Sequence, residues 1–369
     1  MKVRKLLLLP LSCLYRGIVW LRNWLYDIGV LKSEAFSIPS ICIGNISVGG
    51  TGKTPHTEYL AALLMPHYRV ATLSRGYKRK TKGFRLVSES DSALEAGDEP
   101  LQIKLRHPGL TVAVDERRVN GIRELMRLDP PLEVVLLDDA FQHRSLKAGY
   151  YILLMDYSRP NDRDLLLPAG RLREPARNRE RAHLILVTRS PKELKPIEMR
   201  EYVKNMKLSI GQHLFFTTLS YGPFLPVFSN EGAGEIDEEA FRKRADGILL
   251  VTGIAHPQGL QEYAKSISKN TKSIVFRDHH QFKTRDVRRI EAAFQTMADG
   301  GKEILILTTE KDAARLKSRR FNAKLASVMF AVRIHVRFLN NDRENFDQQI
   351  LSYVNSNKRS SILHQESDQ

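Results

Sequence analysis

An α/β protein with a parallel sheet core, a second, smaller α/β/α domain and an apolar N-terminal helix is what this 369-residue sequence predicts. Short apolar runs at 40–46, 68–74, 110–114, 134–138, 151–156 and 184–188 alternate with helix-length segments such as 55–65 and 117–128. Alternation of this kind builds a parallel sheet covered on both faces. A second alternating series at 248–253, 273–276, 304–308 and 328–332 follows a lysine-rich connection. The first 31 residues match neither pattern.

At the N-terminus, Lys2, Arg4 and Lys5 precede LLLLPLSCLYRGIVWLRNWLYDIGV, a run rich in Leu, Trp and Tyr but interrupted by Arg16 and Arg22. A spanning helix needs about 20 mostly apolar residues, and two internal arginines make a span costly. No small-residue cleavage site follows the run, so a signal peptide is not expected. The reading that remains is an amphipathic, membrane-associated helix in the headgroup region, with Tyr15, Trp20 and Trp24 as interfacial residues. A helix packed on the protein's own core is the alternative.

The net charge of +16 and pI near 9.8 call for a polyanionic partner. No zinc finger, RNA-binding signature or aromatic-interleaved basic stripe is present, so no nucleic-acid partner is expected. Cys13 and Cys42 lie far apart without metal-ligand spacing, which argues against a disulfide framework and suits a reducing compartment. The length suits two domains. The expected divisions are 1–35 for the N-terminal helix, 36–205 for the core domain, 206–355 for the second domain and 356–369 for a polar, disordered tail. Within the second domain, 221–226 reads as a turn and 229–239 as a loop.

The strongest local signal is GNISVGGTGKT at 44–54, between a predicted strand and a predicted helix, with Pro55 just inside the helix start. That is the context of a P-loop: glycines let backbone N–H groups curl around phosphate oxygens, and the helix N-terminus adds its dipole. Gly49, Gly50, Thr51, Gly52, Lys53 and Thr54 would form the cradle, with Lys53 on the β- and γ-phosphates and Thr54 on Mg²⁺. Ser47 stands where the usual pattern has glycine, and Gly49 and Gly50 can supply the flexibility. The apolar strand at 132–137 ends in Asp138 and Asp139, which aims carboxylate at the Mg²⁺ shell as a Walker B strand does. The core is therefore P-loop NTPase-like.

Further polar clusters are SRGY at 74–77, GDEP at 97–100, Phe141-Gln142-His143, RLREP at 171–175 and Asp278-His279-His280. Taken singly each has an ordinary explanation: Asp-Glu-Pro opens many helices, Asp-His-His suits a polar loop, and Arg171 and Arg173 could belong to a basic face continuing through Arg177, Arg179 and Arg181. Glu310–Asp312 opens a helix and is as well explained as a cap.

In combination and order these stretches resemble the lipid A 4′-kinase (tetraacyldisaccharide 4′-kinase) family over nearly the whole chain. The resemblance is carried by the basic apolar N-terminus, GNISVGGTGKTP, SRGY, GDEP, LLDDAFQH, LPAGRLREP, VTGIAHPQ, RDHHQF and TTEKDAARL. Ser47 in place of glycine is also what the family looks like. The resemblance implies two α/β/α domains with the nucleotide in a cleft that the second domain closes. It implies transfer of the γ-phosphate of ATP, with Mg²⁺, to the 4′-hydroxyl of an anionic glycolipid, at the cytoplasmic face of the bacterial inner membrane. A monomer is expected, on no motif of its own.

By position in the family's motifs, Asp98 is implied as general base and Glu99 as a contributor to the Mg²⁺ site, completed by Thr54, Asp138 and Asp139. The histidine that would pair with Asp98 is His279, chosen over His280. Ser74, Arg75, Tyr77, Gln142, His143, Arg171 and Arg173 are the expected substrate contacts. An aspartate with an ordinary pKa near 4 is a weak base for an alcohol, so help from a histidine and from desolvation is reasonable. A P-loop switch GTPase or ATPase, with Gln142 orienting water, is the rival reading; it leaves the N-terminal helix and the Asp-His-His loop without a joint role.

Overall fold

The computed structural model describes residues 2–160, 164–228, 234–278 and 280–367, with side chains from 6 to 357 within those ranges. The chain divides into two compact units, Met1–Leu219 with Val336–Gln369, and Ser220–His335.

The first unit holds helices α1 (Lys2–Asp27), α2 (Lys53–Leu64), α3 (Ala93–Ala96), α4 (Asp98–Arg106), α5 (Arg118–Met126) and α6 (Pro196–Met206). Its strands are β1 (Ser40–Gly44), β2 (Val70–Ser74), β3 (Arg85–Leu86), β4 (Thr111–Val114), β5 (Val134–Asp138), β6 (Tyr150–Asp156), β7 (Leu184–Thr188) and the start of β8 (His213–Pro226). They are ordered β3-β4-β2-β5-β1-β6-β7-β8. Neighbours run parallel except β3, which pairs antiparallel with β4.

Successive strand residues point to opposite faces, and both faces are buried. Ile41, Val134, Leu136, Ile152 and Leu184 enter one core, while Cys42, Val135, Leu137, Leu153 and Ile185 enter the other. Continuous apolar runs, rather than alternation with polar residues, follow from that. The strand that leads into the glycine motif, β1, lies between β5 and β6 and parallel to both, so the loops after these strands open at one end of the sheet, beyond their carboxyl ends.

Helix α1 is inside out. Leu7, Leu11, Leu14, Ile18 and Leu21 form a helical stripe that is 48–74% exposed, whereas Ser12 and Asn23 are buried. The buried polar side faces site loops: Ser12 Oγ donates to the Leu166 carbonyl at 2.7 Å, Tyr15 Oη to that of Arg173 at 2.9 Å and an Arg22 Nη to that of Gln142 at 2.8 Å. Among the described residues no helix is long and apolar enough to cross a membrane.

The second unit carries α7 (Glu238–Arg244), β9 (Gly247–Thr252), α8 (Gln258–Ile267), β10 (Thr271–Val275), α9 (Thr284–Ala298), β11 (Ile304–Thr309), α10 (Glu310–Leu316), α11 (Ala323–Ser327) and most of β12 (Met329–Phe338). Strand order is β10-β9-β11-β12, all parallel. The same two-faced burial recurs: Leu249, Val251 and Ile306 on one side, Ile248, Leu250 and Leu305 on the other.

Four expectations are corrected. Residues 221–226, read as a turn on Gly222 and Pro223, continue β8, because Phe224 exchanges backbone hydrogen bonds with Ile236 at 2.8 and 3.0 Å and stays extended. The units divide at 219/220, within β8, rather than at 205/206. Residues 336–355 belong to the first unit, and helix α12 (Arg343–Ser367) runs through the segment read as a disordered tail. Phe346, Ile350 and Val354, four residues apart, bury one face of α12 beside Phe215 and Phe338. Of the expected loop at 229–239, residues 229–233 lie outside the described residues.

Candidate active site

Beyond β1 the chain turns through 45–52 into α2. Gly52, at φ +85°, occupies left-handed backbone that glycine enters without a Cβ clash. The N–H groups of the first helical turn have no partner within the helix, and the dipole there favours an anion. Asn45 Nδ2 donates to Thr51 Oγ1 at 2.8 Å and braces the loop from inside. Lys53 Nζ lies 3.5 Å from Asn45 Oδ1 and 3.5 Å from Asp139 Oδ1.

The acids come from the neighbouring strand. Asp138 is the last residue of β5, buried, and accepts from Thr57 Oγ1 of α2 at 3.2 Å. Burial and the charges of Glu99 and Asp139 push its carboxyl well above the ordinary range. Asp139 takes left-handed backbone, φ +49°, and meets Arg173 Nη1, which donates at 3.2 Å to each carboxylate oxygen. Burial opposes its ionisation too, but Lys53 and Arg173 outweigh that and hold it below the usual carboxylate range.

Among the described residues no three His, Cys, Asp or Glu side chains converge as a cage. Mg²⁺ does not need one, since one or two carboxylates suffice when phosphate oxygens and waters complete its shell. The charges of Glu99 and Asp139 oppose ionisation of Asp138, and a divalent cation would relieve that repulsion. The donor set fits Mg²⁺.

The SRGY and GDEP loops meet through their glycines. A Cβ on Gly97, itself at φ +94°, would lie 3.1 Å from Gly76 Cα, so the backbones approach as only glycine permits. Asp98 and Glu99 occupy the first turn of α4 directly after Gly97, where the helix dipole favours carboxylate. Ser74 is buried at the end of β2, while Arg75 and Tyr77 are exposed. Burial, then the charges of Arg118 and Arg75, lower the His143 imidazole to about 4, so it stays neutral beside them.

Residues 46–48 pair with the RLREP loop: Val48 N–H donates to the Arg171 carbonyl and Arg173 N–H to that of Ile46, both at 2.8 Å. Arg173 thereby faces Asp139, whereas the Arg171 side chain is exposed. Arg181 braces the loop, paired with buried Glu174 and set 4.5 Å over the Phe141 ring. Gln142 Nε2 donates to the Asn45 carbonyl at 2.7 Å, which engages an amide the switch reading reserves for water.

Arg118 is a site residue the sequence did not disclose. Buried at the start of α5, it donates to the backbone carbonyl of Asp138 at 3.3 Å, and burial lowers its guanidinium to about 10. Nothing near it in sequence marks it apart from other basic residues of a helix start.

In the second unit, His279 lies outside the described residues. The His280 ring is engaged by Asp286 Oδ2 at 2.9 Å and stacks on Phe276 with centroids 4.6 Å apart. In the TTEKDAARL stretch, Asp312 is fully buried and accepts from Thr252 Oγ1, the Gly253 N–H and Thr309 Oγ1 at 2.8–3.1 Å, with Arg315 as its counter-ion. That aspartate locks the ends of β9 and β11 together.

A family model described as tetraacyldisaccharide-1-P 4′-kinase matches residues 4–355. The tetraacyldisaccharide 4′-kinase of Phocaeicola vulgatus is 45% identical over 357 residues, 96% of each chain. That of Flavobacterium johnsoniae is 42% identical over 360 residues, 97% of this chain and 99% of the relative. Among solved structures, LpxK from Aquifex aeolicus, described as an "apo" form in complex with ATP, matches with a TM-score of 0.73 at 31% identity, over 95% of this chain and 99% of that one.

Proposed function

This chain belongs to the tetraacyldisaccharide-1-phosphate 4′-kinase family, and from that premise we propose that it transfers the γ-phosphate of ATP to the 4′-hydroxyl of a tetraacylated glucosamine disaccharide 1-phosphate in lipid A biosynthesis. The observation that carries the reading is the convergence of Lys53, Asp138, Asp139 and Arg173 beside a glycine turn that opens a helix. Phosphoryl transfer needs little covalent chemistry from a protein beyond positioning and charge compensation, and this arrangement supplies both.

The cradle amides and Lys53 hold the β- and γ-phosphates. Thr54, Glu99, Asp138 and Asp139 are the residues that would hold Mg²⁺, which when bound offsets phosphate charge. Asp98 accepts the proton of the 4′-hydroxyl as its oxygen bonds to phosphorus and the bond to the bridging oxygen of ADP breaks. His279 is assigned to support Asp98; the engagement of His280 by Asp286 favours that choice of the two. Ser74, Arg75, Tyr77, Gln142, His143, Arg171 and Arg173 are assigned to the anionic acceptor and the transferred phosphate, where arginine suits bidentate contacts.

The exposed apolar stripe of α1 supports a peripheral enzyme lying on the cytoplasmic face of the inner membrane, where its acylated substrate resides; a monomer is proposed with it. The test is transfer of ³²P from labelled ATP to a tetraacylated disaccharide 1-phosphate in mixed micelles, beside Asp98→Ala. Loss of a general base lowers labelling by roughly 10²–10⁴-fold. Robust ATP turnover with no labelled lipid overturns the assignment.

A further inference from the structure

Outside the groups just assigned, the cradle is held from behind by side chains that no part of the reaction scheme uses. Three consecutive peptide carbonyls of the loop each accept from a side chain. An Nη of Arg189 donates to the Gly50 carbonyl, Thr188 Oγ1 to that of Thr51 at 2.9 Å, and His56 Nδ1 to that of Gly52 at 2.7 Å. A carbonyl only accepts, so Nδ1 of His56 carries the proton and Nε2 accepts from Thr217 Oγ1 at 3.0 Å. Arg189 is fixed in turn by Asp156 at the end of β6, Nη1 to Oδ2 at 2.8 Å, and Asp156 by Ser158 Oγ at 2.6 Å.

The backbone of Arg189 strengthens the case. Its φ is +56°, left-handed, directly after β7 ends at Thr188. A non-glycine residue there costs about 1–2 kcal/mol that glycine would not. Lys78 and Lys207 share that backbone region, but among the described residues there only Arg189 has a side chain that reaches a carbonyl of the phosphate loop.

We propose that Arg189, anchored by Asp156, is a positioning residue for the phosphate cradle, acting with Thr188 and His56. The physical link is the planar trans peptide, in which each C=O and the following N–H point in opposite directions. Holding the carbonyls of Gly50, Thr51 and Gly52 on the outside of the turn directs the N–H groups of Thr51, Gly52 and Lys53 to its inside, toward phosphate oxygens. Without Arg189 the peptide after Gly50 is free to flip, because the glycine flank offers little resistance. The inference rests on ATP binding at this loop.

The experiment compares wild type, Arg189→Ala, Arg189→Lys, Asp156→Asn, the Arg189→Ala/Asp156→Asn double variant, Thr188→Val and Lys53→Ala in the lipid-labelling assay. KM for ATP, KM for acceptor, kcat, and the thermal midpoint with and without MgATP are read for each. Losing a charge-assisted hydrogen bond that orders the cradle raises the ATP KM of Arg189→Ala about tenfold or more and shrinks its MgATP-induced thermal shift. The acceptor KM stays as in wild type, Arg189→Lys recovers part of the loss, and Thr188→Val raises the ATP KM by a smaller factor. Because Asp156 acts only through Arg189, the double variant is no worse than Arg189→Ala alone.

An ATP KM within twofold of wild type in Arg189→Ala overturns the proposal, as does a strictly additive double variant. Equal weakening toward ATP and acceptor with a lowered apo midpoint also overturns it, since that is general destabilisation. If Arg189→Ala does not fold, Thr188→Val and Asp156→Asn decide: a selective rise in ATP KM supports the frame and an unchanged one overturns it. If wild type and Lys53→Ala respond identically to MgATP, the kinase reading falls and the frame with it. If they differ and the frame variants match wild type, only the frame falls.

Discussion

His56 illustrates how a single buried residue ties the nucleotide loop to the protein's acid stability. Burial lowers its imidazole from 6.5 to about 4, despite the contact to the Gly52 carbonyl. The sign follows from proton uptake. Between 6.5 and about 4 the unfolded chain binds the proton and the folded chain does not, so stability present above 6.5 is lost as pH falls through this window. The full effect is on the order of 3 kcal/mol by linkage. His56→Asn places an amide N–H donor at the Nδ1 position facing Gly52 but cannot titrate. Urea unfolding at pH 7.5 and 5 is expected to show a smaller loss for the variant than for wild type; parallel losses would refute the assignment. Sequence spacing disclosed residues that act through local order, such as Lys53 and Thr54 in the glycine motif and Asp138 at the end of an apolar run. It did not disclose His56, Arg118 or Arg189. Arg118 and Arg189 act through contacts with chain 20 and 139 residues away, and His56 joins Gly52 to Thr217, 161 residues away; pattern at short range carries no trace of such pairings.

At the level of elements, α1 shows what hydrophobicity alone leaves undecided. An apolar helix can face a core or a membrane, and the two differ only in which side meets the protein. Here Ser12, Tyr15 and Arg22 face the protein and hydrogen-bond its carbonyls, while Leu7, Leu14 and Ile18 stay 58–74% exposed. Leaving such a stripe in water is unfavourable by about 25 cal/mol per Å² of apolar surface, and a headgroup interface removes the cost. Leu14→Glu/Ile18→Glu is expected to lower co-flotation with anionic lipid vesicles at least about tenfold, since each buried leucine or isoleucine contributes roughly 1.5–3 kcal/mol. The folded midpoint should not move, because neither side chain enters the core. Unchanged flotation would mean that the stripe is not the membrane contact. The strands β1, β2 and β4 to β7 could be read from sequence, because burial on both faces writes each as an unbroken apolar run. The two-residue β3 offers no such run, and β8 hides its extension behind Gly222 and Pro223.

Across the whole molecule, the C-terminal helix decides which part of the chain is needed to complete the nucleotide-binding unit. Residues 336–355 follow the last strand of the second domain in sequence, and order along the chain alone points to that domain. In the fold they return to the first unit, where Phe346, Ile350 and Val354 join Phe215, Phe338 and the β1 residues Ile41 and Ile43 in one core. Tyr59 of α2, one turn past the cradle, adds a hydrogen bond to Asp347 at 2.7 Å. Proximity in sequence misled because a return crossing leaves no local mark, and the polar composition after Asn355 masked the helix before it. Three fully buried apolar side chains are worth about 5–9 kcal/mol, comparable to the 5–15 kcal/mol net stability of a domain. A chain ending at residue 342 is therefore expected to lose its cooperative unfolding transition and its MgATP-induced thermal shift. A chain ending at 357 retains Phe346, Ile350 and Val354 and should keep both. Circular-dichroism melts with and without MgATP distinguish the two truncations. A cooperative, ATP-responsive 1–342 protein would show that the first unit closes its core without α12, and that the helix is an accessory to a sheet already complete.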